Sequence, residues 1–391
     1  VLLATLLVFG SVTTAAAEPL VQPNFVLIIG DDVGWPHYGF MGHPVIQTPH
    51  LDALAAEGTW FPVAYAAASL CRPSNPAIST GLHNFQMSVA QGVLDHATPT
   101  FASELKKRGY ATFAGGKWPV FPGEEHATAM GFDVIAPEGK HTFGRDALTS
   151  QSFRTFLAGL GGQPFTAWLA PYTTHVPFSP LPQFRAIYEP LGLRTREESY
   201  FGTLTQLDAF VGLVRQWLTD EGQLDHTVIF YMSDNGQQLR KAKSEQTENG
   251  MRSPLILWCG PTVLGCTNQG RRDELVHFVD VFPTILALAG APLPDVYDYM
   301  GLRLDLLGSA PWRTSLPGQF ARQLGEARAR RHLRTADGFL YVEKSCRSLP
   351  RVFDLNANPL DPPRLRVFEI DPTRVAAWRA ELDAWWNPCG G

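Results

Sequence analysis

Two pairs of side chains could do chemistry in this chain, Asp31-Asp32 and Asp234-Asn235. Each pair follows an apolar run. Asn24-Phe25-Val26-Leu27-Ile28-Ile29 leads through Gly30 into the first, and Thr227-Val228-Ile229-Phe230-Tyr231-Met232 leads through Ser233 into the second. Together they offer carboxylate and amide oxygens without sulfur or imidazole. Such donors suit a hard divalent cation, calcium or magnesium, better than zinc. Lys117 follows the run Tyr110 to Gly116, and His175 lies a few residues beyond Phe165-Thr166-Ala167-Trp168-Leu169. Cys71 opens the segment Cys71-Arg72-Pro73-Ser74-Asn75-Pro76-Ala77-Ile78-Ser79-Thr80-Gly81. Both prolines fit the first turn of a helix there, and Gly81 fits its end. A helix N-terminus favours an anion. A nucleophile at Cys71 would therefore face an anionic group held by the metal and by Lys117. Each residue alone has an ordinary reading: a turn, a helix cap, a solvated charge. Their gathering at one sheet edge makes them a site.

The elements that must position them follow from the pattern. Almost wholly apolar runs read as strands covered on both faces, the mark of a parallel sheet. In such sheets ligands bind at the C-terminal strand ends. Further strands are expected at Tyr110–Ala114, Phe165–Leu169 and Leu255–Trp258. Helices are expected at Thr48–Gly58, Phe101–Gly109, Gln151–Gly159, Glu197–Asp220 and Val279–Ala289. The alternation predicts an α/β fold, a large mostly parallel sheet with helices on both faces. Beyond Met300 the texture changes to short strand-like pieces, His332–Thr335, Phe339–Glu343 and Arg351–Phe353, closed by a helix from Pro372 to Trp386. That predicts a catalytic domain over residues 20–300 and a small antiparallel C-terminal subdomain over 301–391.

Composition narrows the function class. With 45% apolar residues in 391, a sizeable core is expected and global disorder is not. The net charge of −5, with scattered Lys and Arg, gives no reason to expect nucleic acid or an anionic membrane surface as partner. Val1 to Val12 is an apolar run, followed by Thr13-Thr14-Ala15-Ala16-Ala17. This reads as the core and cleavage site of a signal peptide over residues 1–17, truncated at its start. Its removal would leave no membrane span, and the mature protein is expected to be periplasmic or secreted. In that compartment four of the five cysteines should pair. Cys259 with Cys266, and Cys346 with Cys389, is the expected arrangement, leaving Cys71 single. Order along the chain does not fix connectivity.

These motifs, in this order, resemble the type I sulfatases of the alkaline phosphatase superfamily. The likeness spans nearly the whole mature chain. It takes in Asn24 to Trp35, Thr48 to Gly58, the Cys71 segment, Gly109-Tyr110-Ala111-Thr112, Gly116-Lys117-Trp118 and His175-Val176-Pro177-Phe178. It continues through Ser233-Asp234-Asn235-Gly236, Glu248 to Pro254, Val279 to Thr284 and Phe353-Asp354-Leu355. The resemblance implies that a separate maturation enzyme oxidises Cys71 to formylglycine, whose hydrated aldehyde attacks sulfur. It implies Asp31, Asp32, Asp234 and Asn235 as ligands of one calcium ion, with residue 71 contributing once modified. It implies that Lys117, His175 and Lys243 bind sulfate or assist the leaving group; Lys241 is a nearby competitor for the last role.

Two positions depart from the family pattern. The motif arginine is Asn75 here, which offers hydrogen bonds but no charge. A histidine expected shortly after Lys117-Trp118 is Pro119, which cannot transfer a proton. The leading expectation is a calcium-dependent sulfuric ester hydrolase acting on a sulfated sugar. The alternatives are a phosphate or phosphonate ester hydrolase of the same superfamily, and a non-catalytic homologue that binds sulfated glycans. Asn at position 235 argues against a two-zinc site.

Overall fold

The computed structural model describes residues 22–87, 89–90, 93–117, 124–136, 145–239, 242–302, 304, 313–319, 330–345, 348–360 and 364–388. The signal-peptide reading, Trp118, Pro119, Lys241 and the Cys346–Cys389 pair lie outside these residues.

Among the described residues, the main sheet has eight strands. Across the sheet they run Gly270–Arg271, Thr59–Phe61, Leu255–Cys259, Thr227–Ser233, Asn24–Gly30, Phe165–Ala170, Ala111–Gly116 and Val134–Ile135. Asn24–Gly30 lies at the centre, parallel to Thr227–Ser233 on one side and Phe165–Ala170 on the other. Phe165–Ala170 is in turn parallel to Ala111–Gly116. The register sets Gly30 beside Ser233, so Asp31 and Asp234 leave the sheet side by side. The sheet is mostly parallel, as expected, but Leu255–Cys259 runs antiparallel to both neighbours. A strand buried on both faces reads the same in either direction, so periodicity cannot give its sense.

The two faces are separate cores. Phe25, Leu27, Ile29, Phe230 and Met232 point to one; Val26, Ile28, Ile229 and Tyr231 point to the other. Each such side chain contributes about 1.5–3 kcal/mol on full burial. Helices Cys71–Thr80, Phe101–Lys106 and Val281–Leu288 cover the first face. Helices Pro49–Glu57, Arg145–Ala158 and Thr195–Asp220 cover the second. Thr100 caps its helix by accepting from the Ser103 N–H at 3.0 Å, and the chain then turns through Gly109 into the strand that delivers Lys117.

A second, five-stranded antiparallel sheet follows: Ser315–Gln319, Arg331–Thr335, Phe339–Glu343, Arg351–Asp354 and Arg364–Leu365. Helix Pro372–Trp385 packs through Trp378 and Leu382 on Leu333, Tyr341 and Val352. The opposite face sets Leu316, Leu340 and Val342 against Tyr65, Met251 and Leu275 of the larger unit. A buried polar junction accompanies this contact. The Tyr65 hydroxyl donates to Glu248 Oε2 at 2.7 Å and accepts from Arg334 Nε at 2.8 Å. Ser315–Gln319 escaped the sequence reading because Pro317 and Gly318 are breaker signals. The strand lies at the sheet edge, where proline is tolerated.

Candidate active site

Every sequence-predicted site residue among the described residues converges at the C-terminal edge of the main sheet. Asp31 and Asp32 follow the central strand, and Asp234 and Asn235 follow its neighbour. All four are buried. Asp32 adopts a left-handed backbone, φ +61°. That is an uncommon conformation for a residue with a side chain, and surrounding bonds hold it. Its N–H donates to Asp234 Oδ1 at 3.1 Å, and its Oδ1 accepts from Asn235 Nδ2 at 2.6 Å. Lys243 Nζ lies 2.6 Å from Oδ1 and 2.7 Å from Oδ2 of the same carboxylate. Gly236 is required next, because a Cβ there would sit 1.9 Å from the Asn249 carbonyl.

Lys117 enters from the strand Ala111–Gly116, two places from the central strand, through Gly116, φ +82°. A Cβ at Gly116 would lie 2.1 Å from the Ala170 carbonyl, so only glycine lets the chain turn this tightly. Lys117 Nζ then reaches Asp31 Oδ1 at 2.5 Å and Asp234 Oδ2 at 3.4 Å. Burial disfavours its charge, but Asp31 and Asp234 outweigh that and hold its pKa well above the usual lysine value. Burial pushes Asp31 up to about 8, against the pull of Lys117 and with the repulsion of Asp234 and Asp32. For Lys243, burial is again opposed and outweighed, here first by Asp32, and the pKa rises.

His175 Nδ1 lies 2.7 Å from the Val176 carbonyl. That contact requires Nδ1–H to donate, so the neutral ring presents a bare Nε2, 3.5 Å from Asp32 Oδ2. Burial lowers the His175 pKa, against the pull of Asp32. Asp31, Asp32 and His175 each place a ligand atom within 4.8 Å of the others. The sequence reading gave His175 to the substrate; the geometry also groups it with two aspartates that could hold a cation. A histidine that donates its other ring N–H to a backbone carbonyl is oriented as metal ligands are. Buried oxygens fit the same purpose. Asp31 Oδ2 and Asn235 Oδ1 are buried without a hydrogen-bond partner, an expensive state that a hard cation would relieve.

Cys71 is the first residue of helix Cys71–Thr80, with Leu70 as its N-cap. Pro73 falls in the first turn as expected. Pro76 does not; it lies inside the helix. There it removes the N–H that would otherwise meet the Arg72 carbonyl, and eight consecutive residues, Pro73 to Thr80, are buried and hold the helix through that defect. Cys71 is the free cysteine among the described residues, while Cys259 and Cys266 form the expected disulfide. Burial pushes the Cys71 thiol up, against the pull of Lys117. Asn75 Nδ2 lies 3.4 Å from Asp234 Oδ2, while its Oδ1 is buried without a partner.

Several positioning residues were not legible beforehand. The Thr174 hydroxyl donates to the Asp31 carbonyl at 2.6 Å and accepts its N–H at 3.1 Å. The Ser233 hydroxyl holds the Gly30 and Asn235 carbonyls, each at 3.0 Å. Ser244 donates its N–H to the Ser69 carbonyl at 2.8 Å, tying the Lys243 loop to the Cys71 segment. All act on backbone groups, and no residue spacing announces such bonds.

The sulfatase family model matches residues 23–291. This chain belongs to the sulfatase family. Human arylsulfatase A is 30% identical over 365 residues, covering 75% of this chain and 69% of that protein. Among solved structures, a protein in complex with its substrate D-glucosamine-2-N,6-O-disulfate superposes with a TM-score of 0.79 at 19% identity, covering 94% of this chain and 98% of that one. A phosphonate monoester hydrolase of Agrobacterium radiobacter superposes at 0.73 with 19% identity, covering 94% and 95%. At that identity the two structures speak for the fold, which is the sulfatase arrangement of a large sheet and a small antiparallel one. Sulfatases are sulfuric ester hydrolases, and the chain is an enzyme of that class by family.

Proposed function

We propose that this sulfatase-family protein hydrolyses sulfate esters of carbohydrates. The observation that carries this reading is the convergence of three buried carboxylates, Lys117, Lys243 and His175 on the helix N-terminus that begins with Cys71. Asp31, Asp32, Asp234 and Asn235 would hold one calcium ion, with His175 adjacent and residue 71 adding a ligand once modified. A bound cation supplies Lewis-acid stabilisation of the charge that develops on the transferring group. Lys117 and Lys243 orient the sulfate oxygens from two sides and stabilise that charge. The alcohol leaves as an alkoxide and takes its proton from Lys243, or from His175 when its Nε2 is protonated as well.

The raised thiol pKa keeps unmodified Cys71 in its weakly nucleophilic form. That supports the formylglycine reading, in which an oxygen of the hydrated aldehyde attacks sulfur after a maturation enzyme has acted. The Cys259–Cys266 disulfide supports an oxidising compartment, periplasmic or extracellular. Among the described residues no helix is long and apolar enough to cross a membrane.

The assay that tests this compares aryl sulfate with aryl phosphate and aryl phosphonate, using protein matured in a formylglycine-generating host with calcium. Sulfate should be preferred by at least about tenfold in kcat/KM, a transition-state difference of about 1.4 kcal/mol. A phosphonate preference would move the chain to the alternative that the Agrobacterium likeness favours. The metal assignment is checked separately. Asp234→Ala removes an anionic ligand and should weaken calcium binding by at least about tenfold. Stoichiometric zinc with no calcium in the purified protein would overturn it.

A further inference from the structure

A second polar cluster lies beyond the Gly81 end of the Cys71–Thr80 helix and takes no part in the proposed chemistry. A cavity of about 140 Å³ is lined there by His83, His277, Arg313 and Trp385, with Leu302 and Leu316 among its apolar walls. The His83 ring stands 4.7 Å from the His277 ring and 4.9 Å from the Trp385 ring, centre to centre. His83 and His277 are buried.

The hydrogen-bond inventory of this cavity is one-sided. His277 Nδ1 accepts the Val279 N–H at 3.2 Å. It is therefore unprotonated in the neutral ring, and Nε2 carries the hydrogen. That Nε2–H is buried and has no acceptor. Trp385 Nε1, which can only donate, is buried without an acceptor as well, and His83 Nδ1 is also without a partner. Arg313 commits Nη2 to Asp280 Oδ1 at 2.8 Å and has further N–H groups. Both Asp280 oxygens are already engaged: Oδ1 also accepts the Leu302 N–H at 2.7 Å, and Oδ2 accepts the His277 N–H at 2.8 Å. None of the described lining residues carries a carboxylate. Buried donors without acceptors are rare in folded proteins.

The same inventory argues against a metal. A ligating nitrogen must be bare, and His277 Nε2 is protonated as long as Nδ1 holds its backbone bond. Arg313 adds positive charge at the wall. Unpartnered donors beside a guanidinium with N–H groups beyond its Asp280 bond, and no carboxylate on the described lining, call for an acceptor-rich anion.

We propose that this cavity is a binding site for a small oxyanion, sulfate, phosphate or a carboxylate, held by His277 Nε2–H, Trp385 Nε1–H and the Arg313 guanidinium. His83 supplies a further imidazole whose free nitrogen can donate. An ion here joins four separate segments. His83 follows the nucleophile helix, and His277 precedes the Val281–Leu288 helix. Arg313 precedes the small sheet, and Trp385 ends the last helix. Occupancy therefore ties the C-terminal helix to the large sheet and is independent of the reaction at Cys71.

The test is a titration of the full chain, labelled with nitrogen-15 at the tryptophan indoles, with inorganic phosphate and with sulfate at constant ionic strength. Lys117→Ala protein serves as background, to weaken anion binding at the reaction site. The indole resonance that is absent in Trp385→Phe should move saturably. Calorimetry should give a dissociation constant at least tenfold weaker in Trp385→Phe, which keeps the ring and loses the donor. Glucose 6-phosphate separates the sources: no response assigns the site to a free ion, and an equal response assigns it to an anionic group on a larger molecule. A Trp385 resonance that stays still, or drifts linearly without saturation, overturns the proposal. So does a high-resolution crystal structure from phosphate-soaked protein in which water alone bridges the donors. The crystal structure of the phosphate-soaked protein decides the matter even if Trp385→Phe fails to fold.

Discussion

Cys71→Ala should lower aryl sulfate turnover by at least about a thousandfold relative to the matured enzyme while leaving sulfate-ester affinity nearly intact and calcium binding no weaker than in the unmodified wild type, the pattern of a lost nucleophile. The expectation comes from the division of labour in the site. Cys71 forms no disulfide and opens its helix, so its removal takes away no ion pair. The carboxylates remain paired with Lys117 and Lys243, which lie 2.5 and 2.6 Å from Asp31 and Asp32. Substrate binding should survive, and the loss should fall on kcat. Wild-type protein made without a formylglycine-generating enzyme should match the variant. Peptide mass measurement on the Cys71 segment tells the modified form from the thiol. Equal rates for the matured wild type and Cys71→Ala would sink the assignment and favour a homologue that binds sulfated glycans without turning them over.

The wild-type rate itself should be modest. Asn75 brings no charge to the place where the family has arginine. The missing charged hydrogen bond is worth about 1.5–3 kcal/mol, or about one to two decades of rate. Asn75 does lie 3.4 Å from Asp234 Oδ2 and can orient that carboxylate. Orientation survives the substitution where charge stabilisation does not. An activated aryl leaving group needs little protonation, so aryl sulfate is the fair substrate for this comparison.

How much of this was readable in the sequence depends on the kind of interaction. The runs before Asp31 and Asp234 announced buried strands because nearly every residue in them is apolar, while their pairing as neighbours is given by the register alone. The site then assembled itself at one sheet edge. Cys71 at the helix start was legible from Pro73 and Gly81. Pro76 misled because proline statistics describe an isolated helix, whereas this helix is held by burial of Pro73 through Thr80. The direction of Leu255–Cys259 was hidden, since both faces are apolar either way. The second role open to His175 was hidden too. Its tautomer is set by the Val176 carbonyl beside it, which no spacing reveals. The unsatisfied cluster at His83, His277 and Trp385 draws on three distant segments, and nothing local marks it.

The buried histidines lead to the second large effect, on stability. His332 is fully buried, neither ring nitrogen has a partner, and burial holds its pKa at about 3 against an ordinary 6.5. His83 is likewise held at about 3, first by burial and then by Arg313, and His277 lies well below its ordinary value for the same reasons with His83 added. The folded state thus keeps these rings neutral while the unfolded chain takes up protons below about 6.5. Their contribution to stability is full above that value and is lost as the pH falls toward about 3. Two carboxyls act in the opposite sense. Burial raises Asp208 to about 7, and Asp280 in the same direction. They favour the folded state at low pH and lose that contribution as the pH rises through their folded values. The total pH curve therefore mixes both signs, and a single-residue difference is the clean measurement. Urea unfolding of wild type and His332→Leu, in calcium and in a buffer free of sulfate and phosphate, isolates the histidine. Leucine does not titrate. Between about pH 7.5 and about pH 5, the variant should gain about 2 kcal/mol relative to wild type, the worth of roughly 1.5 pH units below the ordinary histidine pKa. A gap that stays constant between the two conditions would mean that His332 takes up its proton in the folded protein as readily as in the unfolded chain.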